Sequence, residues 1–324
     1  MPKAKPTAVH RPLLRETWSL VWERKPLWVF GILAAVVATG GVFESLGQNL
    51  RRVTEGRDIL LESLRGSFVG LNAFSDYVRL IVRTDPHNAT LVIAILATLG
   101  LVLILGAIVA QGGLMKALAS KKELSPEEVI REGVWMFTHT LTLAFLSKVT
   151  TILLILLSTL PLVLFISHGT WKNALVFFFL FLAFIPLMAL VSAVSMLALA
   201  DLTKRGSTVH DAIHHAFAIL KRAWLPTLEL ACSLFGIVLA GFLLLAFILS
   251  IAAIPYTILM VLALLAGSSF LFSLFNMGGV ILCATLVLAY AGLAVTFQYA
   301  AWLKFYERAT SKKALVAKLE RLLG

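Results

Sequence analysis

The chain has 324 residues, of which 60% are hydrophobic and only 14% are charged. A soluble domain is about 45–50% apolar and about 25% charged, so a soluble fold of this composition would lack polar surface. The 28 Lys and Arg residues exceed the 17 Asp and Glu residues, but they cluster at the ends of apolar stretches. This pattern excludes a compact nucleic-acid-binding domain and is typical of a membrane protein beside anionic lipids.

Six apolar stretches reach about the length of a membrane-spanning helix, which is about 20 residues. The sequence therefore predicts an all-α fold, a polytopic transmembrane helical bundle that forms one integral membrane domain over residues 1–324. The expected spans are residues 26–43, 88–118, 138–166, 173–199, 225–253 and 279–303.

A long connection, residues 44–86, follows the first span and carries six arginines against six acidic residues. Its apolar residues recur at helical spacing, which predicts an amphipathic helical segment. They are Leu50, Val53, Leu60, Leu61, Leu64, Phe68 and Leu71. Because its charge is balanced, the segment does not oppose translocation, and we expect it on the extracytoplasmic face or capping the bundle.

The basic residues predict the orientation. They concentrate in the N-terminal 25 residues, in residues 116–131, in residues 204–222 and in the tail, residues 304–324. The positive-inside tendency places all four regions, and with them both termini, in the cytoplasm. An even number of spans is then required, and six fit an inner-membrane protein.

The last apolar region is interrupted at Pro255 and again at residues 276–279, so it holds two or three spans. Three spans, seven in all, would place the basic tail outside. We therefore expect residues 256–275 to form a short outer-leaflet or re-entrant helix that does not span.

Three segments that precede pairs of spans resemble one another, beginning at Leu14, Ile130 and Ile213. Each predicts a cytoplasmic amphipathic helix, and helix-start signals at Ser125 and Thr208 support two of them. The bundle is thus expected to consist of three hairpins, each preceded by such a helix. Convergent patterning of interfacial helices is the alternative to a true internal repeat.

Two ionisable residues fall inside predicted spans, where charge is costly and is often functional. Lys148 lies in the third span and Glu229 near the cytoplasmic end of the fifth. They form a candidate intramembrane polar pair. The alternative is that Lys148 extends to the interface while Glu229 stays in contact with water.

His210 and His214 are four residues apart and would share one face of a helix. Two histidines at this spacing form a weak candidate metal site. The metalloprotease pattern would place a Glu beside the first His, and Asp211 stands there instead. A solvated helix face is the simpler interpretation.

Other polar or small residues lie near the span ends, among them Gln111-Gly112-Gly113 and Gly40-Gly41. They suit close helix contacts and hydrogen bonds between helices, and a substrate path is the alternative. The third span is rich in hydroxyl groups, which often bond their own backbone. These are Ser147, Thr150, Thr151, Ser158 and Thr159.

The sequence lacks a nucleophile elbow, a phosphate-binding loop and a dinucleotide fingerprint, so we expect neither enzymatic activity nor a cofactor. Cys232 and Cys283 lie far apart inside apolar stretches and are expected to pack as small apolar residues. No catalytic, cofactor-binding or strong metal-binding residue emerges from the sequence.

Three short stretches carry a resemblance: Trp22–Gly31 with Gly40-Gly41, Ala110–Leu114, and Asp211–Ile213. They resemble bacterial six-span membrane proteins of the glycerophosphoryl diester phosphodiesterase membrane-domain family. The sequence contains no phosphodiesterase catalytic domain. The resemblance therefore implies a bacterial inner-membrane protein and no particular activity.

Two classes of function stay open. One is a non-enzymatic scaffold that binds a partner or lipid through its cytoplasmic helices and residues 44–86. The other is a transporter or lipid-handling permease that uses the bundle interior. The lipid bilayer, anionic lipids at the cytoplasmic face and a protein partner are the expected contacts, and nucleic acid is not. A continuous polar cavity reaching Lys148 would favour transport, and a packed interior would favour a scaffold.

Overall fold

The computed structural model describes residues 10–38, 83, 89–168 and 171–311. Within these ranges the chain is helical and contains no strand, which confirms the predicted all-α bundle. The helices are α1 His10–Glu23, α2 Leu27–Ala38, α3 Ala89–Ala119, α4 Pro126–Trp135, α5 Phe137–His168, α6 Trp171–Arg205, α7 Val209–Arg222, α8 Trp224–Leu265 and α9 Ser269–Thr310. The predicted segment 44–86, except for Arg83, and Gly40-Gly41 lie outside the described residues.

A short helix precedes an apolar one three times, as α1 before α2, α4 before α5, and α7 before α8. Ser125 caps α4 in a reciprocal capping box with Glu128, and Thr208 accepts a hydrogen bond from the Asp211 amide at the start of α7. Each cap satisfies backbone donors that a helix start leaves unpaired. The predicted order of a short helix followed by an apolar helix is therefore present three times in the described residues, although part of the first predicted hairpin lies outside them.

Residues 256–275 do not form a separate helix, so this prediction is wrong. Helix α8 continues through Pro255 to Leu265, and α9 begins at Ser269 after a tight turn. Gly267 provides the turn with a φ of 63°, a conformation that only glycine adopts without strain. An apolar helix tolerates an internal proline because ending it would expose more unpaired backbone groups to lipid.

Helices α8 and α9 form a hairpin of two 42-residue helices, each about 63 Å long at about 1.5 Å per residue. The hairpin returns the end of α9 to α1, where the Arg308 guanidinium donates to the Glu16 carboxylate at 2.8 Å. The helix also continues to Thr310, so the predicted tail, residues 304–324, begins as part of α9. The short helices and the C-terminal end of α9 thus share one end of the bundle, here called the basic end.

Tight packing is concentrated at the basic end. Leu13, Leu114, Leu197, Tyr299 and Phe305 are fully buried there. Most large apolar side chains of α8 beyond Phe235 are exposed instead. The bundle is therefore packed at one end and presents apolar surface along the rest of its length.

Glycines allow the closest helix contacts. A Cβ on Gly113 would overlap the carbonyl of Val129 in α4, so the predicted close contact at Gly112-Gly113 is confirmed. Gly31 in α2 faces Gly292 in α9 in the same manner. These contacts fix α3 against α4 and α2 against α9.

Basic side chains donate hydrogen bonds to the backbone carbonyls at the C-terminal end of α3. The Arg24 guanidinium donates to the carbonyls of Ala117 and Ser120, at 2.7 and 3.1 Å, and the Lys204 ammonium donates to that of Ala119 at 3.1 Å. Cations are favourable at a helix C-terminus because the unpaired carbonyls and the dipole are negative there. Charges on α1, the α1–α2 connection, α6 and α9 thus hold the basic end together.

Candidate functional site

A polar cavity of about 160 Å³ lies between α3, α5, α6 and α9. The side chains of Leu143, Met188, Val191, Met196 and Leu199 form apolar parts of its wall. Its polar lining residues are Gln111, Thr140, Ser147, Lys148, Thr151, Ser192, Ser195 and Tyr299.

One face of α5 supplies half of the polar lining. Thr140, Ser147 and Thr151 recur at helical spacing, and Lys148 adjoins them. Thr150 lies off this face and donates to its own backbone, at Leu146 O, as predicted. The side chains of Ser158 and Thr159 fall outside the described part of the chain.

A hydroxyl pair sets the register between α5 and α6. Ser195 Oγ lies 3.0 Å from Ser147 Oγ. Because the two helices are antiparallel, Lys148 and Thr151 then lie toward Ser192 and Met188, and Thr140 lies toward Leu199. The lysine is about 16 Å along α5 from Phe137 at about 1.5 Å per residue.

The cavity is closed at one end and open at the other. Tyr299 is 0% exposed and Thr140 is 1% exposed, whereas Ser192 on α6 is exposed. The closed end therefore points toward the packed basic end of the bundle, and the opening lies farther along α5 and α6, beside Lys148.

Three polar atoms of the closed end are buried without a well-oriented hydrogen bond within the described residues. They are Gln111 Oε1, Thr140 Oγ1 and the Tyr299 hydroxyl, although Tyr299 lies beside Gln111. Buried polar groups nearly always have partners, and each missing partner costs about 1–3 kcal/mol. The cavity has room for about five waters, so water or a polar ligand can supply these partners.

Lys148 provides the charge of the site. Among the described lining residues it alone carries a formal charge at neutral pH, and no carboxylate is present. The site therefore has one cation, several hydroxyl groups and an amide. Among the described lining residues, this arrangement offers donors to an electron-rich group and no carboxylate to a cation.

Lys148 and Glu229 line different depressions. Glu229 borders a shallow one on α8 with Leu225, Leu228 and Cys232. The structure thus places Lys148 in the polar cavity and Glu229 outside it. Whether the two charges interact stays a prediction.

The histidine segment lies on α7 at the basic end, where His210 and His214 are exposed. Among the described residues, no group of three or more His, Cys, Asp and Glu side chains is arranged to hold a metal ion. His215 has another neighbour, since its Nδ1 is 3.2 Å from Asp201 Oδ2. The proposed metal pair thus has no third protein ligand in the described part of the chain.

Asp201 is a buried carboxylate that the sequence analysis missed. It is 0% exposed and accepts hydrogen bonds from Ser207, at 2.6 Å, and from the Tyr306 hydroxyl. With His215 these contacts join α6, α7 and α9 directly below the cavity. An acid near the end of an apolar stretch is the signal that could have identified it.

Five of the described helices are long and apolar enough to cross a membrane: α3, parts of α5 and α6, α8 and α9. Their large exposed apolar surface is typical of helices that face lipid, and together these features indicate a helical membrane protein. No family model, curated protein or solved structure matches the chain. The resemblance to the phosphodiesterase membrane-domain family therefore stays a prediction.

Proposed function

We propose that the chain is a lipid-handling permease of the bacterial inner membrane, which admits lipid headgroups to its bundle interior. The observation that carries the proposal is the polar cavity reaching Lys148. The sequence left a scaffold and a permease open. The cavity is not continuous through the bundle, but an interior space lined by polar groups and open at one end supports the permease more than a fully packed interior would.

The depth of the opening supports lipid as the substrate. Lys148 and Ser192 lie about 16–20 Å from the basic ends of their helices, and a hydrocarbon core is about 30 Å thick. An opening at this depth faces the bilayer from the side. A lipid can place its headgroup in the cavity while its acyl chains remain in the membrane.

The proposed topology has six spans with both termini in the cytoplasm. The contact between Arg308 and Glu16 joins the end of α9 to α1, which supports an even number of crossings. The basic end would face the cytoplasm and its anionic lipids. Trp22, Trp135 and Trp224 are exposed at this end, as suits an interfacial aromatic belt.

The proposed activity is non-enzymatic. The described lining residues include neither a carboxylate nor an imidazole that would act as a general base. Movement of a lipid between leaflets requires no bond to break, and a polar path that lowers the cost of burying a headgroup is sufficient.

Leaflet exchange in liposomes tests the proposal. The full chain would be reconstituted in phosphatidylethanolamine and phosphatidylglycerol with a fluorescent phospholipid, and the label would be quenched from outside. We expect faster loss of the inner-leaflet signal than in protein-free liposomes. Equal rates would refute the proposal.

A cavity-filling variant sharpens the test. Ala144→Phe places a ring in the cavity, because Ala144 lines it, and should slow exchange toward the protein-free rate. Leu146→Phe is the control, since Leu146 is exposed on another face of α5. It should exchange lipid as the unmodified protein does.

A partner-binding scaffold is the second candidate, and the α8–α9 hairpin favours it. Its helices are about twice as long as the hydrocarbon core is thick, and Leu265 and Phe270 at its tip are 79% and 72% exposed. Cross-linking in native membranes should then yield a defined adduct that Phe270→Glu removes. Unchanged cross-linking of the variant would count against this role.

A further inference from the structure

We infer that the cavity binds a phosphate group, either the phosphodiester of a lipid or a free phosphate ion, with Lys148 as its charge partner. The inference rests on the proposed function and names the chemistry of the bound group. Four features of the cavity support it: charge, hydrogen-bonding capacity, size and the position of the opening.

The charge of the lining selects an anion. Lys148 is the formal charge among the described lining residues, and they include no carboxylate. The described lining residues thus supply a cation and no carboxylate, so their electrostatic interaction with an anion is more favourable than with a cation. An ammonium headgroup would instead meet the Lys148 cation without a carboxylate among the described lining residues to offset the repulsion.

The hydrogen-bonding groups select a ligand rich in acceptors. The hydroxyls of Thr140 and Tyr299 are buried without a well-oriented partner in the described part of the chain, and each can donate one hydrogen bond. Exchange of the Gln111 amide oxygen and nitrogen, by a 180° rotation, would put N–H donors where the unpartnered Oε1 now lies. Phosphate oxygens accept such bonds and are the strongest acceptors when charged.

Size and shape limit what enters. A volume of about 160 Å³ corresponds to about five waters, and a phosphate group has five heavy atoms. Pockets that enclose a whole drug-sized molecule are about 300–1,000 Å³, so the acyl chains or the remainder of a headgroup must stay outside. The opening beside Ser192 leaves room for them.

Native mass spectrometry of the full chain in detergent tests the inference. The probes are dioleoylphosphatidylglycerol and dioleoylglycerol, which share their acyl chains and differ in the phosphate headgroup. We expect the phospholipid to bind at least about tenfold more tightly, corresponding to about 1.4 kcal/mol. Lys148→Met should reduce this preference to less than about threefold, and Lys148→Arg should keep most of it.

A matched control distinguishes the loss of Lys148 from the loss of any positive charge on the protein. Lys172→Met removes an exposed lysine at the start of α6 and should keep the full preference. The Lys148→Met protein should unfold at the same temperature as the unmodified chain, which would exclude a folding defect. If its unfolding temperature is lower, the Lys148→Arg and Ala144→Phe variants test the inference instead. Lys148→Arg should keep the preference for the phospholipid, and Ala144→Phe should lose it.

Inorganic phosphate at millimolar concentration identifies the source of the bound group. Displacement of the phospholipid would support a site for free phosphate, and its absence would support a site for the lipid phosphodiester. Equal binding of the two lipids, or an unchanged preference after Lys148→Met, would overturn the inference. Leaflet exchange is measured separately, so lipid handling without phosphate preference would refute the inference alone, and phosphate binding without exchange would refute the permease alone.

Discussion

Gly292 offers the sharpest test of the packing, because it lies where α9 crosses α2. A Cβ built on Gly292 would be 2.5 Å from the Trp28 carbonyl oxygen and 2.8 Å from Ile32 Cγ1. Both distances are below the 3.0 Å that real Cβ atoms essentially never show. The substitution Gly292→Ala therefore forces the two helices apart.

The magnitude follows from two opposing effects. Alanine favours a helix over glycine by about 0.8–1.0 kcal/mol, whereas overpacking costs about 1–3 kcal/mol and sometimes more. A separation of about 0.5–1 Å also removes a quarter to a half of the dispersion energy of the contacts that part. Since one contacting atom is backbone carbonyl, a rotamer change cannot relieve the overlap. We expect a net loss of about 1–2 kcal/mol.

Unfolding in detergent with increasing dodecyl sulfate, followed by tryptophan fluorescence, measures this effect, and Trp28 reports on the contact itself. The matched control is Gly236→Ala in α8, where nothing lies within 4 Å of the added Cβ. The control should be as stable as the unmodified protein or slightly more so. If Gly292→Ala matched Gly236→Ala, the close α2–α9 contact would be wrong.

Three further predictions concern the basic end, and the same unfolding assay measures each. Tyr306→Phe leaves the buried Asp201 carboxylate without one donor and should lower the free energy of unfolding by about 1–3 kcal/mol. The control Tyr256→Phe loses a solvent-exposed hydrogen bond and should lower it less. Equal losses of stability would contradict the role of burial. Ser125→Ala removes the cap of α4 and should cost about 0.5–2 kcal/mol, with Ser125→Thr as the conservative control that keeps most of the stability. Burial opposes ionisation of Glu16, but hydrogen bonds from two basic side chains of α9 outweigh it and lower the pKa of this carboxyl. Its contribution to stability is therefore complete above the ordinary pKa of about 4.3 and is lost as the pH falls through the lowered pKa. Glu16→Gln should therefore reduce the loss of unfolding free energy that the unmodified protein shows on acidification. An unchanged dependence on pH would contradict this.

The helices themselves were predictable, because long apolar stretches with charge at their ends leave few alternatives. The caps at Ser125 and Thr208 were also visible, since a capping signature is local in sequence. Pro255 misled because proline ends helices in water, where a broken helix can bond to solvent. In an apolar setting that alternative is lost, and α8 continues through the proline.

The site was only partly predictable. Lys148, Gln111, Ser147 and Thr151 stood out because polar groups are rare within apolar stretches. Tyr299 did not stand out, because an aromatic residue near the end of a span is typical of the membrane–water interface. The cavity forms where particular faces of four helices meet, and this depends on the rotation and register of each helix. Contacts such as that between Ser147 and Ser195 fix the rotation and register only in the folded chain.

The position of Asp201 also bears on the route by which a ligand would leave the cavity. Tyr299 and Tyr306 lie two turns apart on α9, the first at the closed end of the cavity and the second bonded to Asp201. A path along α9 toward the basic end would run past the contacts of this buried carboxylate, and breaking them would strand a buried charge at a cost of about 3–5 kcal/mol. Passage beside Ser192 breaks none of these bonds, since that residue is already exposed. The lateral opening is therefore the route of lower free energy, and it is the route that the proposed lipid substrate would need for its acyl chains.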